Sequence, residues 1–275
     1  GDIIFLYGLL GLLLLAFMFR SDRTIKIWTR VIYGVFALLI TALAVILLIA
    51  DSNSPVQIDS EYVEPRLDEV LRSGTFLESI GPRVELWFFG LVSGIFLQGG
   101  LAFAAFLLGM RLARSNFLSD LIDEAQNSRM IKRGLVFGLP LQIIAATILL
   151  RNEQSLQPSE GIYLSSIFLA FLSAPLLSMA YVGIIRKLVS IRPKIVSWMM
   201  PAGRMSLTNY ISQSVVTAFI FSPWGLGLFQ KLQTWVVLLL AVGIWLLLVF
   251  LSTQWLKRFN QGPLEKLMMT VTTRS

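Results

Sequence analysis

Seven stretches of this sequence are apolar over a length that can cross a lipid bilayer, and nothing else in the chain limits its fold so strongly. They lie near 3–19, 31–50, 86–110, 134–150, 161–185, 205–222 and 234–256, and none has Asp, Glu, Lys or Arg in its middle. A run of about 17 to 25 such residues is the length of a membrane-spanning helix. Hydrocarbon offers no hydrogen-bond partner, so the backbone of each run must satisfy itself, and an α-helix does so within one segment. The expected fold is all-α: a polytopic transmembrane helix bundle of about seven spans, forming one integral membrane domain over 1–275. Only 14% of the residues are charged, against roughly a quarter in a soluble domain.

The charges that remain are sorted by loop. Segments 20–30, 111–133, 186–204 and 257–275 hold 18 of the 23 Lys and Arg residues. The other side holds Arg66, Arg72, Arg83, Arg151 and Lys231, with 11 of the 16 acidic residues. Cytoplasmic loops are enriched in Lys and Arg, so Gly1 is expected outside and Ser275 in the cytoplasm. The formal net charge of +7 thus reports orientation, and the expected partner is the lipid bilayer, not nucleic acid. An odd span count with an outside start fits the C-terminal part of a longer membrane protein. The sequence has no cysteine and no histidine, which removes thiolate chemistry, the commonest general base and the commonest transition-metal ligand. No metal site is expected.

Four connecting or packing features carry local signals. The outer loop 51–85 reads as two short amphipathic helices. In the first, Pro65 suits the opening turn, Val63, Leu67, Val70 and Leu71 form an apolar face, and Gly74 ends it. The second starts with a capping box at Thr75 and Glu78 and stops at Gly81-Pro82. Residues 115–133 read as a short cytoplasmic helix with Phe117, Leu118, Leu121 and Ile122 on its apolar side, and Asp120, Asp123 and Glu124 as a solvated acidic face. In the third span Gly90 and Gly94 have the spacing that lets helices approach closely, and Gln98 can bond across helices. Between the last two spans, Pro223, Gly225 and Gly227 predict a tight turn, with Trp224 in the interfacial aromatic belt.

The stretch Pro201 to Ser214, PAGRMSLTNYISQS, enters an apolar run with an unusual polar load. With a helix starting near Met205, Ser206, Asn209 and Gln213 share one face, and Thr217 continues it. Such groups must face other helices, a cavity or a ligand. They serve equally well as hydrogen-bonding glue between helices. Arg204, at the basic end of the helix, reads either as an anion-holding group or as a cytoplasmic anchor.

The segments Gly203 to Ser214, Gly225 to Phe229 and Ser252 to Glu265 together resemble the C-terminal pattern of the YeiB-like bacterial membrane proteins, classed under domain of unknown function 418. The opening GDIIFLYGLLGLLLL resembles the start of an internal span in that family, which implies further spans upstream. Lys266 departs from the family pattern, where an aromatic residue usually follows Pro-Leu-Glu. The resemblance implies a multi-pass protein of the bacterial cytoplasmic membrane. More distantly, such proteins are similar to transmembrane acyltransferases, whose membrane-embedded histidine this chain lacks.

Three functional readings stay open. In a membrane-embedded acyl or group transferase, Arg204 and free amides of the first helical turn hold the phosphate of an acyl thioester donor such as acyl-CoA, while Ser206, Thr208, Asn209 and Gln213 orient the acyl group. Asp2 and Glu85 are the carboxylates nearest the outer span ends. In a transporter or flippase of a small polar or lipid-linked substrate, the stripe lines the path, though no span carries the ionisable residue that ion coupling usually needs. The third reading is a structural or regulatory membrane subunit, and a homo-oligomer is compatible with each.

Overall fold

A computed structural model describes residues 3–53, 64–115, 117 and 123–272. Helices dominate these residues, and no strand occurs among them. In chain order they are α1 (Ile3–Leu14), α2 (Asp22–Asn53), α3 (Glu64–Ser73), α4 (Phe76–Gly94), α5 (Gly100–Arg114), α6 (Glu124–Arg133), α7 (Leu139–Glu153) and α8 (Glu160–Ile191). Short helices α9 (Pro193–Ser197) and α10 (Met200–Arg204) lead into α11 (Ser206–Phe221), α12 (Thr234–Trp255) and α13 (Pro263–Thr272). Wide π-helical turns at Ile95–Gly99 and Gly134–Gly138 join α4 to α5 and α6 to α7.

Five of the expected spans are helices long and apolar enough to cross a membrane: Asp22–Ser52, Phe76–Arg114, Glu124–Glu153, Glu160–Ile191 and Thr234–Trp255. The other two are shorter. The first is α1 with a 3-10 turn at Leu15–Phe17, and the sixth is the 16-residue α11. Large apolar side chains such as Leu38 and Phe96, each 73% exposed, point outward along the spans. Hydrocarbon suits such surfaces and water does not. This is an all-α polytopic membrane protein.

The chain forms two compact units, Gly1–Asp59 with Glu85–Lys187, and Ser60–Val84 with Leu188–Ser275. In the first, Leu6, Leu10, Ile25, Phe103 and Leu107 make a buried cluster between α1, α2 and α5. Polar contacts gather around Pro175, inside α8. Proline has no N–H to give the carbonyl of Phe171, four residues back. On either side of that carbonyl, the Tyr33 hydroxyl donates to Leu172 O at 2.7 Å and Gln142 Nε2 donates to Ala170 O at 2.7 Å. Gln142 also reaches Ser173 Oγ at 2.9 Å. Neighbouring helices thus tie the two carbonyls that flank the one whose helical donor the proline removes.

Two readings of the loops are corrected. The capping box forms, with Thr75 N–H on Glu78 Oε2 at 2.7 Å and Glu78 N–H on Thr75 Oγ1 at 3.4 Å. Its helix does not stop at Gly81-Pro82, however, but continues with Pro82 inside it. The fixed φ of proline fits a helix, so its cost is one hydrogen bond and some crowding, which the long apolar continuation offsets. Likewise 124–133 is no separate cytoplasmic helix: α6 runs through the π-turn into α7. Asp123 caps it, its Oδ1 accepting from the amides of Ala125 and Gln126 at 3.0 and 3.1 Å. Val63, Leu118, Asp120, Leu121 and Ile122 lie outside the described residues.

The close helix approach is also elsewhere than expected. A Cβ added at Gly90 would meet nothing within 4 Å, and at Gly94 only Leu6 at 3.5 Å. At Gly134 it would lie 2.5 Å from Leu176 O and 2.6 Å from Ala180 Cβ, and at Gly138 2.6 Å from Leu177 N. Gly134 and Gly138, four residues apart, therefore form the face that presses onto α8. Gln98 is exposed. Overpacking typically costs about 1–3 kcal/mol, whereas alanine for glycine in an open helical site gains roughly 0.5–1 kcal/mol. Gly138→Ala is expected to lower the melting temperature of the purified protein and Gly90→Ala to hold or raise it; the reverse order would disprove this packing.

Candidate functional site

The polar stretch at the start of α11 is a broken helix. α10 ends at Arg204, Met205 adopts φ −114° and ψ 34°, and α11 begins at Ser206. The Met205 side chain is buried at the break. Asn209 spans it, its Nδ2 donating to Ala202 O at 3.1 Å and to Ser252 Oγ of α12 at 2.9 Å. Ser252 is fully buried. The Asn209–Ser252 pair thus satisfies two polar groups while pinning α11 to α12, as helix packing in lipid requires.

The first turn of α11 is closed by a residue 57 positions away. Glu265 of α13 accepts from Thr208 N–H through Oε1 at 3.0 Å and from the Thr208 hydroxyl through Oε2 at 2.5 Å. The same hydroxyl accepts from Leu264 N–H, in the first turn of α13, at 3.2 Å. Each helix therefore contributes one side chain to the open N-terminal amides of the other. Gly262 makes room for this: a Cβ there would sit 2.0 Å from Glu265 Oε2 and 2.8 Å from Thr208 Oγ1. Partial burial pushes the Glu265 carboxyl up, but bonds from the Thr208 hydroxyl and from the amides of Thr208, Glu265 and Leu207 outweigh it and hold the pKa below the ordinary carboxylate value.

At the other end of α11 the chain turns back over the helix. Leu226, Leu228 and Phe229 amides donate to the carbonyls of Phe219, Ile220 and Phe221 at 2.9, 3.2 and 3.2 Å. Gly227 takes φ +60°, a conformation that suits glycine. The expected turn at Pro223, Gly225 and Gly227 is present. Trp224 packs edge-on against Phe76 at 5.5 Å, and Arg83 Nη2 donates to buried Ser222 Oγ at 3.1 Å.

Beside the Glu265 clasp lies an open pocket of about 690 Å³ between α11 and α12. Met205, Thr208, Asn209 and Ser212 form one wall, and Leu248, Leu251, Ser252 and Trp255 the other. Gln254, Lys257, Arg258, Phe259 and Pro263 complete the lining. Trp255 and Phe259 stack with centroids 4.4 Å apart, and Lys257 Nζ donates to Gln254 Oε1 at 3.0 Å. The surface thus joins an apolar and aromatic floor to two cations and a few hydroxyl and amide groups. That combination suits an amphiphile with an anionic head.

Of the residues singled out in the sequence, Thr208 and Asn209 line this pocket. Ser206 and Gln213 are exposed and lie outside its lining. Arg204 is exposed and its Nη2 donates to Asn260 O at 2.8 Å, so it too stands outside. The first-turn amides of Leu207 and Thr208 are engaged by Glu265. Glu85 is half-buried in α4 and belongs to the first compact unit, and Asp2 lies outside the described residues. Ser212, Ser252, Lys257, Arg258 and Glu265 were not singled out as site residues. A period-3.6 projection through Met205 would have found Ser212, seven residues on.

Residues 112–275 match the family model described as "Protein of unknown function (DUF418)". The chain belongs to the DUF418 family. The matched region contains the α10–α11 break, the Glu265 clasp and the pocket. Among relatives of this DUF418 chain, "Uncharacterized protein YxaH" of Bacillus subtilis (strain 168) is 26% identical over 287 residues, covering 99% of this chain. "Uncharacterized protein YeiB" of Escherichia coli (strain K12) is 36% identical over 84 residues, 30% of this chain. The chain spans 66% of the length of YxaH, and the YeiB match spans 21% of that protein. No solved structure matches.

Replacing a helix-capping side chain typically costs about 0.5–2 kcal/mol, so Glu265→Ala and Thr208→Val are each expected to lower stability by about that much. Because their roles are mutual, the double variant should lose less than the sum; strict additivity in thermal melts would refute the shared clasp. The pH dependence follows from the lowered pKa. Glu265 stabilises the fold above its unfolded value of about 4.3, and the contribution is lost as pH falls through the lower folded value. The melting temperature of the native protein should fall below about pH 5, and Glu265→Gln should flatten that acid limb.

Proposed function

We propose that this protein is a membrane-embedded acyl or group transferase whose α11–α12 pocket takes an amphiphilic donor, an acyl thioester with a phosphate-bearing head. The supporting observation is the two-part chemistry of the pocket: Lys257 and Arg258 stand beside the apolar and aromatic surface of Leu248, Leu251, Trp255 and Phe259. A phosphate gains charge-assisted hydrogen bonds from the cations, and an acyl chain buries its methylenes for about 0.8 kcal/mol each. Asn209 and Ser252 position the wall between them. The basic loops support a cytoplasmic placement for this mouth.

The pocket supplies binding and orientation. Among the described residues its lining carries no carboxylate, and the neighbouring Glu265 is committed to the amides and hydroxyl of the clasp. The same chemistry would let a lipid-linked substrate enter, as in a flippase, and the thioester dependence of binding separates the two readings.

The test uses a non-hydrolysable thioether analogue of a long-chain acyl-CoA, titrated calorimetrically into the purified protein. Binding is expected, with Lys257→Ala and Arg258→Ala each weakening it about tenfold, equivalent to about 1.4 kcal/mol. Arg204→Ala, which removes a cation engaged by Asn260, should change the affinity less than threefold. Equal affinity for the analogue and for a diacyl phospholipid would favour the flippase reading. No effect at either Lys257 or Arg258 would refute the donor site.

A further inference from the structure

A second pocket, in the first compact unit, is built differently. It measures about 410 Å³ and has an apolar floor of Leu108 and Leu112 from α5, Met130 from α6 and Met179 from α8. Arg129, Arg133 and Gln126 of α6 border it, and Phe117 forms a side wall. A third guanidinium, that of Arg186, lies over the Phe117 ring with its carbon 3.9 Å from the centroid.

Arg129 and Arg133 are four residues apart, so they share one face of α6. Like charges at that spacing disfavour a helix. Arg129 spends its Nε on the carbonyl of Ala125 at 3.2 Å, which leaves its terminal nitrogens directed elsewhere. Among the described residues the one ion pair joins Arg114 to Asp22; Arg129, Arg133 and Arg186 have no carboxylate partner there. Arg129 and Arg133 therefore border a pocket whose lining, among the described residues, holds no carboxylate, and Arg186 stands beside its Phe117 wall. Its floor is apolar, with Leu108 and Met179 more than a third exposed. Phe137, four residues beyond Arg133 on the same continuous helix, is 60% exposed.

We infer that this pocket binds one anionic phospholipid. The phosphate diester lies between Arg129 and Arg133, which donate to its oxygens, with the Gln126 amide as a further donor. The first methylenes of the acyl chains rest on Leu108, Met130 and Met179. Basic pockets between membrane helices suit lipid phosphates for this reason. A free phosphate would gain the cations but leave the floor uncovered, so the lipid is the occupant that uses both halves. This site is independent of the α11–α12 pocket and of the donor proposed for it.

Native mass spectrometry of the purified full chain, incubated with mixed micelles of phosphatidylglycerol and phosphatidylcholine, tests the assignment. One phosphatidylglycerol per chain should be retained in preference to phosphatidylcholine, and it should raise the melting temperature. Inorganic phosphate and glycerol phosphate at millimolar concentration should do neither. Arg129→Gln with Arg133→Gln should cut retention at least tenfold, while Arg129→Lys with Arg133→Lys keeps most of it. Met179→Trp, which fills the floor, should also cut retention with the charges intact. Equal retention of the two lipids, stabilisation by phosphate alone, or undiminished retention in both the glutamine pair and Met179→Trp would each overturn the proposal.

Discussion

The carboxylate of Glu265 holds together the part of the chain where its polar residues concentrate. It lies at the first turns of α11 and α13, where both helices present unsatisfied amides and the positive ends of their dipoles. One negative charge serves both ends, and the Thr208 hydroxyl completes the exchange by accepting from Leu264 and donating to Glu265. Without it, the open amides of α11 would need another partner beside an apolar helix, where an unmade bond is expensive. The pocket inherits its shape from this arrangement, because Thr208 and Pro263 line it and Asn209 sets the spacing to α12.

Polar residues elsewhere follow the same logic. In the first unit, Asn127 Nδ2 donates to Gly183 O at 3.0 Å, and Gln142 reaches α8 as already described. In each case the side-chain amide of one helix donates to a carbonyl of its neighbour. These side chains act chiefly as ties between helices. The two pockets stand apart because each sets two cations beside an apolar floor.

What could be read from the sequence was set by range. The spans were legible because hydrophobic length is local, and so were the caps whose partners lie three residues off, as with Thr75 and Glu78. The continuation through Pro82 was not, because a proline reads as a stop unless the apolar helix beyond it is counted against its single lost bond. Gly90 and Gly94 had the right spacing but no tight neighbour, Gly90 meeting nothing and Gly94 only Leu6 at ordinary contact distance, whereas Gly134 and Gly138 had α8; spacing alone does not carry the neighbour. In PAGRMSLTNYISQS the polar load was visible. Its direction was not, because the break at Met205 and the partners at Ser252 and Glu265 depend on residues more than forty positions away.

The donors gathered around Pro175 also bear on the order in which the chain is made. Tyr33 and Gln142 both precede α8, so a ribosome delivers them before the carbonyls of Leu172 and Ala170 that they bond. The segment with a carbonyl lacking its helical donor is thus the last of the three to emerge. When it enters the bilayer, the side chains that tie its flanking carbonyls can already be in place. Moving α8 ahead of α2 and α7 by circular permutation would leave the same contacts in the final fold but present the proline segment to lipid alone.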